Sequence, residues 1–408
     1  MLHHHETGTP VYFLSSSIPF GASSSVFGFN RVSRSIHHIA SVACKILGGV
    51  FFDDYPLFEP DFLCGLAAKS FEWLLSALGW LFSNDPKKTF PFAESFDVLG
   101  AKLTVGDLHG GPFTVENKPK RLVKIGQLLA DLGASGRITK RQAQVVQGNL
   151  NFATSFVMGR SLKVASRAFA SLTTGKNEVS ASELGDLCAW TAKLIAGLQG
   201  RQIDPRGRPE PVLVFTDAAY EADAATWGIV ILDPVSKLRT ALGGRIPPAL
   251  VDKWHSLGSR QVITQAEGFA ALLARVAFHT VLQRRRAIFF VDNEGARFAL
   301  IKSCSESLAL LQIVQCFHAC GDADACLAWI ERVPSSSNIA DLPSRDLTAE
   351  ALDLIGGHPW PHQVPVDRVA EMCADFESLP ALLRRTPASL ETDRLHLLPL
   401  AHDDARGG

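Results

Sequence analysis

Four acidic residues occupy points in the chain where a carboxylate could do chemistry. The run PVLVFTDAAYEADAATWGIVILD (211–233) opens with an apolar strand, Val212 to Thr216, and Asp217 stands at its end before a second strand from Thr226 to Leu232. The run RRRAIFFVDNEGARFAL (284–300) repeats the arrangement: a strand from Ala287 to Val291, then Asp292 with Asn293 beside it. Between them, ITQAEGFAALLARVAFHTVL (263–282) has apolar residues at helical spacing and places Glu267 in the first turn. In CLAWIERVPSSSNIADLPSRD (326–346), a strand from Leu327 to Val333 leads through a Pro/Ser loop to Asp341, which opens a helix. Each acid has an ordinary structural explanation. Strand-end Asp forms turns, an acid in a first helical turn suits the helix dipole, and Asp before a helix caps it. Two strand-end acids in one α/β region are harder to explain that way, because ligand chemistry in open sheets collects at the carboxyl ends of strands. Acids that converge repel one another and take up protons unless cations neutralise them.

The order strand-Asp, helix-Glu, strand-Asp, loop-Asp resembles the ribonuclease H fold in its retroelement branch. The strings that carry the resemblance are TDAA (216–219), QAEG (265–268), VDN (291–293) and NIADLPSR (338–345), the last being the most specific. The resemblance implies that Asp217, Glu267, Asp292 and Asp341 are the catalytic, metal-binding carboxylates, with Mg²⁺ (or Mn²⁺) as cofactor. It implies endonucleolytic cleavage of the RNA strand in RNA–DNA hybrids. The chemistry suits those ligands. In-line cleavage of a phosphodiester needs an activated water and a stabilised leaving oxygen, and two metal ions serve both ends. Mg²⁺ takes hard oxygen ligands and keeps several waters, so carboxylates are preferred to His or Cys. Recognition of RNA requires a contact to a 2′-hydroxyl, for which Asn293 is placed, as it is equally for a turn. No counterpart of the mobile-loop His of many cellular members is legible.

The elements before this region carry two further strings. IPFGASSSVFGF (18–29) and GGVFFDDYPLF (48–58) flank a helical pattern through Val32, Ile36, Ile39 and Val42. The second string reads as an apolar strand, a tight Asp53-Asp54 pair and a return strand, and paired Asp at a hairpin tip is common in turns. Together the two resemble reverse transcriptase palm motifs of DIRS-type or gypsy-type retroelements. The PFG run resembles the segment that packs on nucleotide and template, FFDD (51–54) the aromatic-x-Asp-Asp box, and FDVLGAKL (96–103) the primer grip. The resemblance implies metal binding by Asp53 and Asp54 and a nucleic-acid contact at Gly21. No earlier strand with the first metal-binding Asp fits in residues 1–17, and the fingers are absent. The expectation is an N-terminally truncated reverse transcriptase that does not polymerise DNA alone, with another chain as the source of any missing palm and fingers.

Residues 118–176 hold eleven Lys and Arg against Asp131 alone. Lys118, Lys120, Arg121, Lys124, Lys140 and Arg141 are the leading candidates for contacts to the phosphates of a primer-template or hybrid, and a solvated helix face is the plainer alternative. The stretch that includes GNLNFATSFVMGR (148–160) resembles the thumb of the same elements.

The fold class expected is a multidomain α/β and α+β chain. Its parts are a partial reverse transcriptase palm over 1–115, a basic helical thumb or connection over 116–200, a ribonuclease H-like α/β domain over 211–346 and a C-terminal tail over 347–408 whose last part frays. The segment GRQIDPRGRPEP (200–211) has the composition of a linker. The 408 residues, 47% hydrophobic and 20% charged, suit packed cores and argue against global disorder. The net charge of −1 neither favours nor excludes nucleic acid, because binding needs a local patch. Cys316, Cys320 and Cys326 near His318 fit no zinc spacing and read as buried thiols on an apolar helix, in keeping with a reducing compartment. The start lacks a secretory signal and the apolar stretch 71–82 is too short to span a bilayer. The expected setting is cytoplasmic or nuclear, with no membrane partner. The Phe13, Phe20, Phe27 and Phe29 side chains would form an exposed apolar face that invites a partner. Two other functions remain open: a catalytically dead, nucleic-acid-binding remnant, and a fold relative such as an integrase-like nuclease or an exonuclease. The Asp292-Asn293 pair and the NIADLPSR run weigh against the last.

Overall fold

The computed structural model describes residues 2–3, 6–11, 21–83, 85, 90–106, 111–157, 160–173, 178–198, 200–203, 210–259 and 261–385. The chain forms two compact units, Met1–Gly111 and Pro112–Gly408.

In the first unit, the two-residue strands β1 (Leu2–His3) and β2 (Pro10–Val11) pair antiparallel. Helix α1 (Ser23–Val42) and helix α2 (Asp61–Ala77) share a small core in which Ile36, Ala40, Ile46, Phe71, Leu74 and Leu75 are buried. The apolar residues are too numerous for that core. Phe27, Phe62 and Trp73 stay largely exposed, whereas Phe29 lies against Trp80, 5.9 Å between ring centres. Phe13 and Phe20 lie outside the described residues. The strands read on either side of Asp53-Asp54 reduce to isolated bridges, Gly48 with Leu57 and Phe51 with Asp54, around a tight turn in which Phe52 has a positive φ. A hairpin of β3 (Ser95–Val98) and β4 (Ala101–Thr104) follows, turning through Leu99 and Gly100, both with positive φ as a two-residue turn requires.

The second unit begins with β5 (Phe113–Asn117), which pairs antiparallel with β6 (Arg201–Ile203). The stretch read as a linker thus starts as a strand, because backbone pairing with β5 orders it; residues 204–209 lie outside the described residues. Between the two strands run α3 (Pro119–Ser135), α4 (Lys140–Val157), α5 (Ser161–Thr173) and α6 (Ala181–Ala196). Pro119 opens α3, Gly136 closes it in the left-handed conformation, and a Ser180–Glu183 capping box starts α6. The inward stripes include Ile125, Leu129 and Leu132 of α3 and Leu184 and Leu187 of α6.

A five-stranded sheet in the order β11-β10-β7-β8-β9 carries the rest. Strands β7 (Val212–Glu221), β8 (Ala224–Asp233) and β9 (Leu238–Arg245) form an antiparallel meander, while β10 (Arg286–Val291) and β11 (Leu327–Arg332) run parallel to β7. The Arg285 guanidinium reaches back to Asp233 at 2.8 Å, tying the start of β10 to the end of β8. Short helix α7 (Pro248–Ser256) leads from β9 into α8 (Ile263–Ala277), which lies against one face of the sheet. Every residue of α8 from Gln265 to Arg275 is buried, so this helix is enclosed rather than amphipathic. Helix α9 (His279–Leu282) completes the crossover to β10, and α10 (Glu294–Lys302) and α11 (Leu308–Asp324) connect β10 to β11.

After β11 the chain passes through a 3₁₀ turn to α12 (Asp341–Ser344) and α13 (Thr348–Ile355), which cover the opposite sheet face with Val230, Ala241, Ala340 and Ala351 as their core. Beyond Arg345 the chain is more regular than its weak periodicity suggests. Helices α14 (Val366–Ala374) and α15 (Ala381–Arg385) follow, and Leu379, Leu382 and Leu383 join the core of α3 to α6. Residues 386–408 lie outside the described residues. Among the described residues no helix is long and apolar enough to cross a membrane.

Candidate active site

Strand β7 runs through Asp217 rather than stopping at it. The apolar run ends at Thr216, but backbone pairing with β8 continues through Asp217↔Gly228 to Glu221↔Ala224. Asp217 is therefore held within the sheet, and it is buried. Glu267 sits in the second turn of α8, not the first, because the helix already begins at Ile263. The enclosure of α8 makes this carboxylate buried as well. Asp292 directly follows β10, on the strand next to β7 in the sheet. One oxygen from each of Asp217, Glu267 and Asp292 lies within 4.8 Å of the others, and this trio is the one group of its kind among the described residues. The thiols of the Cys316, Cys320 and Cys326 region form no such group.

Asp341 stands outside the trio. It is the first residue of α12, with Ala340 as the cap, and its carboxylate takes a hydrogen bond from Arg345 Nε at 2.8 Å. It still acts on the site, since its charge is among those that raise the Asp217 pKa. Arg345 also pairs with Glu221 at 3.0 Å.

The NIADLPSR string does more than carry Asp341. Asn338 Nδ2 donates to Asp217 Oδ1 at 3.2 Å and to the Thr216 carbonyl at 3.0 Å, and the Ser344 hydroxyl donates to Asp217 Oδ2 at 2.6 Å. The polar types at 338 and 344, on both sides of Asp341, were the available signal for this clamp, and sequence reasoning assigned them no role. Two glycines let α12 come close enough. A Cβ on Gly228 would lie 2.3 Å from the Ala340 carbonyl oxygen and 2.5 Å from Ser344 N, and one on Gly243 would lie 2.0 Å from the Pro343 carbonyl oxygen. Neither glycine was read from the sequence.

Burial and mutual repulsion dominate the electrostatics of the trio. Burial, then the charges of Asp292 and Asp341, push the Asp217 carboxyl up to about 6 against the Ser344 hydrogen bond. Burial and the neighbouring Asp217 and Asp292 raise Glu267 well above the usual carboxylate range. Glu267 Oε2 is buried with no hydrogen-bond partner. An unsatisfied, buried carboxylate oxygen beside two further carboxylates is a poor arrangement for a metal-free protein and a good one for a hard divalent cation. The residues present therefore fit Mg²⁺ or Mn²⁺.

Asn293 caps α10, its Oδ1 accepting from Ala296 N at 3.0 Å, so the structure gives it a local role beside Asp292. Lys120, Lys124, Lys140 and Arg141 are exposed on α3 and α4, Lys118 caps α3, and the Arg121 guanidinium stacks 4.2 Å over the half-exposed Phe152 ring. Gly21 is exposed with φ +89°, a Cβ built there would meet nothing within 4 Å, and the Pro19-Phe20 pair before it lies outside the described residues. Asp53 and Asp54 are exposed at their turn, and no third ligating side chain joins them among the described residues.

No protein-family model matches the chain, and no curated protein matches it in sequence. Over 35% of its length it is similar to the solved structure of RNase H1 from the halophilic archaeon Halobacterium salinarum NRC-1, with 19% identity, 98% of that chain covered and a TM-score of 0.26. It is likewise similar over 35% of its length to the N-terminal RNase H domain of a Mycobacterium tuberculosis protein solved as a fusion with maltose-binding protein, with 15% identity, 97% of that chain covered and a TM-score of 0.25.

Proposed function

We propose that this chain is a retroelement-derived nuclease that cleaves the RNA strand of RNA–DNA hybrids at Asp217, Glu267 and Asp292, with Asp341 at the edge of the site. The observation that carries the reading is the meeting of three carboxylates from β7, α8 and the end of β10, two of them buried and one with an orphaned oxygen. Convergence of this kind is unfavourable without a cation. Asp217, Glu267 and Asp292 would hold Mg²⁺ or Mn²⁺. Bound there, such ions would supply charge neutralisation and an acidified water for phosphodiester hydrolysis. The protein's own part is positional. Asn338 and Ser344 fix the two Asp217 oxygens, and burial keeps the site's dielectric low so that the carboxylate charges act strongly there. The basic faces of α3 and α4 hold the substrate backbone, and Asn293, anchored at the α10 cap, is the residue proposed to face the cut strand.

DNA synthesis is not assigned to this chain. The resemblance of the first unit to a reverse transcriptase palm rests on Gly21, Asp53, Asp54 and the 96–103 hairpin. Primer extension on an RNA template by the purified chain is expected to give no product, and template-dependent synthesis would restore the polymerase reading. The cleavage reading is tested with a labelled RNA–DNA hybrid and Mg²⁺, comparing the parent with Asp292→Asn. Cleavage lost in the variant supports the site. A folded parent that binds hybrid without cutting it supports a catalytically dead remnant, and preferential cutting of duplex DNA supports a different nuclease of the same fold.

A further inference from the structure

We propose that Lys163, Arg167 and Lys302 form an anion site that grips backbone phosphates of the bound hybrid, away from the carboxylates. The inference rests on the nucleic-acid reading of the carboxylate site and adds a second point of hold.

Lys163 and Arg167 are one turn apart on α5 and so share a face. Arg167 Nε donates to the Lys302 carbonyl at 3.1 Å, which brings that face against the last turn of α10. Lys302 is exposed, its ammonium 5.1 Å from the Phe298 ring centre. Each of the three charges lowers the pKa of the buried Cys304 thiol, against the larger upward push of its burial. Burial and the like charges of Arg160 and Arg167 lower the Lys163 pKa. Among the described residues, none of Lys163, Arg167 and Lys302 has an ion pair with a carboxylate. Like charges side by side, two of them half-buried and none paired with a carboxylate, are unfavourable until an anion arrives.

The cluster is connected to the candidate active site. Lys302 lines a cleft of about 350 Å³ with Thr264, Gly295, Phe298 and Ser305, and Glu306 is the acid on its wall. Thr264 is one turn before Glu267 on α8, and Gly295 is three residues beyond Asp292. A Cβ on Gly295 would lie 3.0 Å from Thr264 Cγ2, so the first turns of α8 and α10 meet in the cleft wall. Helix α8 thus carries Glu267 and part of the cleft wall, and α10, which begins two residues after Asp292, carries more of that wall and Lys302. A ligand that engages both the carboxylate site and the cations must carry repeated negative charge, as a phosphodiester backbone does.

The test is the salt dependence of hybrid binding, measured by fluorescence anisotropy in chelator with the full chain. Each phosphate contact contributes roughly 0.9 to the slope of log K against log salt. Lys163→Gln with Lys302→Gln is expected to reduce the slope by about 1 to 2, whereas Lys237→Gln, on the β8–β9 turn, leaves it unchanged. In the unaltered chain, bound hybrid is expected to shield Lys163 and Lys302, but not Lys237, from an amine-reactive label read by mass spectrometry. An unchanged slope, or equal labelling with and without hybrid, overturns the anion site even if Mg²⁺-dependent cleavage is intact. A reduced slope with shielding supports it even if the parent fails to cleave, an outcome that removes only the nuclease reading.

Discussion

Asp217 lies between opposing influences, and the balance sets a sign that can be measured. Its carboxyl is raised from an ordinary value of 3.8 to about 6, chiefly by burial. An acid with a higher pKa in the folded than in the unfolded state takes up protons on folding, so across that window its contribution to the metal-free chain's stability falls as pH rises. A divalent cation reverses the trend, because it binds the ionised carboxylate and displaces the proton. The Mg²⁺-induced rise in Tm is expected to be larger at about pH 7.5 than at about pH 5, read by scanning fluorimetry. A rise independent of pH, or one retained in Asp217→Asn, would remove this residue from the ligand set. Ser344 supplies the counterweight. Its hydroxyl donates to Asp217 Oδ2, and a hydrogen bond to a charged group is worth about 1.5–3 kcal/mol, where about 1.4 kcal/mol corresponds to one pH unit. Ser344→Ala is expected to move the acidic limb of the cleavage profile up by roughly one unit. Lower activity at every pH with an unmoved limb would make Ser344 a packing residue and not a positioning one.

The elements that hold these side chains depend on small residues in places where sequence patterns say little. Gly228 and Gly243 let α12 lie on the sheet, and a Cβ at Gly228 would meet backbone of that helix at 2.3 Å. Gly228→Ala must therefore lift α12, and with it Ser344 and Asn338, from Asp217. The expected cost is about 1–3 kcal/mol in denaturant unfolding, with loss of cleavage well beyond that of an equally destabilising change in the α3–α6 core. Equal losses would mean that α12 does not position the site. The β7–β8 turn holds the reverse opportunity. Ala222 and Asp223 both have positive φ, and an alanine pays for that with Cβ strain that asparagine tolerates better. Ala222→Asn is expected to stabilise by up to about 1 kcal/mol, and a lower denaturation midpoint would refute the strain. The same features explain what was legible. The acids at Asp217 and Asp292 could be read because apolar, β-branched runs precede them. Strand β9, LRTALGGR, could not, since its two glycines and two arginines hide a state imposed by pairing with β8. Helix α7 was missed because it is short and opens on two prolines, Pro247 at its cap and Pro248 at its first position. The end of β7 was misplaced for the same reason that β9 was missed: backbone pairing, not side-chain apolarity, extends both. That Asn338 and Ser344 clamp Asp217 is a contact across more than a hundred residues, invisible to any local pattern.

The helical segment and the α/β domain of the second unit are joined by more than the chain between them. Leu311 of α11 lies in the same core as Leu184 and Leu187 of α6, together with Leu379, Leu382 and Leu383 from the C-terminal end. Ser161 at the start of α5 donates both its backbone N–H and its hydroxyl to Asp322 of α11. Arg167 bonds the α10 terminus. A shared apolar core transmits strain, so these helices and the sheet are expected to unfold together rather than as separate bodies. Leu311→Ala removes a fully buried side chain at this seam and is expected to cost about 2–5 kcal/mol. Hydrogen exchange is the decisive reading: protection in α5, α6 and α11 should fall together in the variant, within one cooperative transition. If α5 and α6 lose protection while α8 and β7 keep theirs, the helical segment is a loosely docked neighbour. The basic faces of α3 and α4 would then not be held in fixed register with the carboxylates, and hybrid placement would fall to the α/β domain and its own cleft.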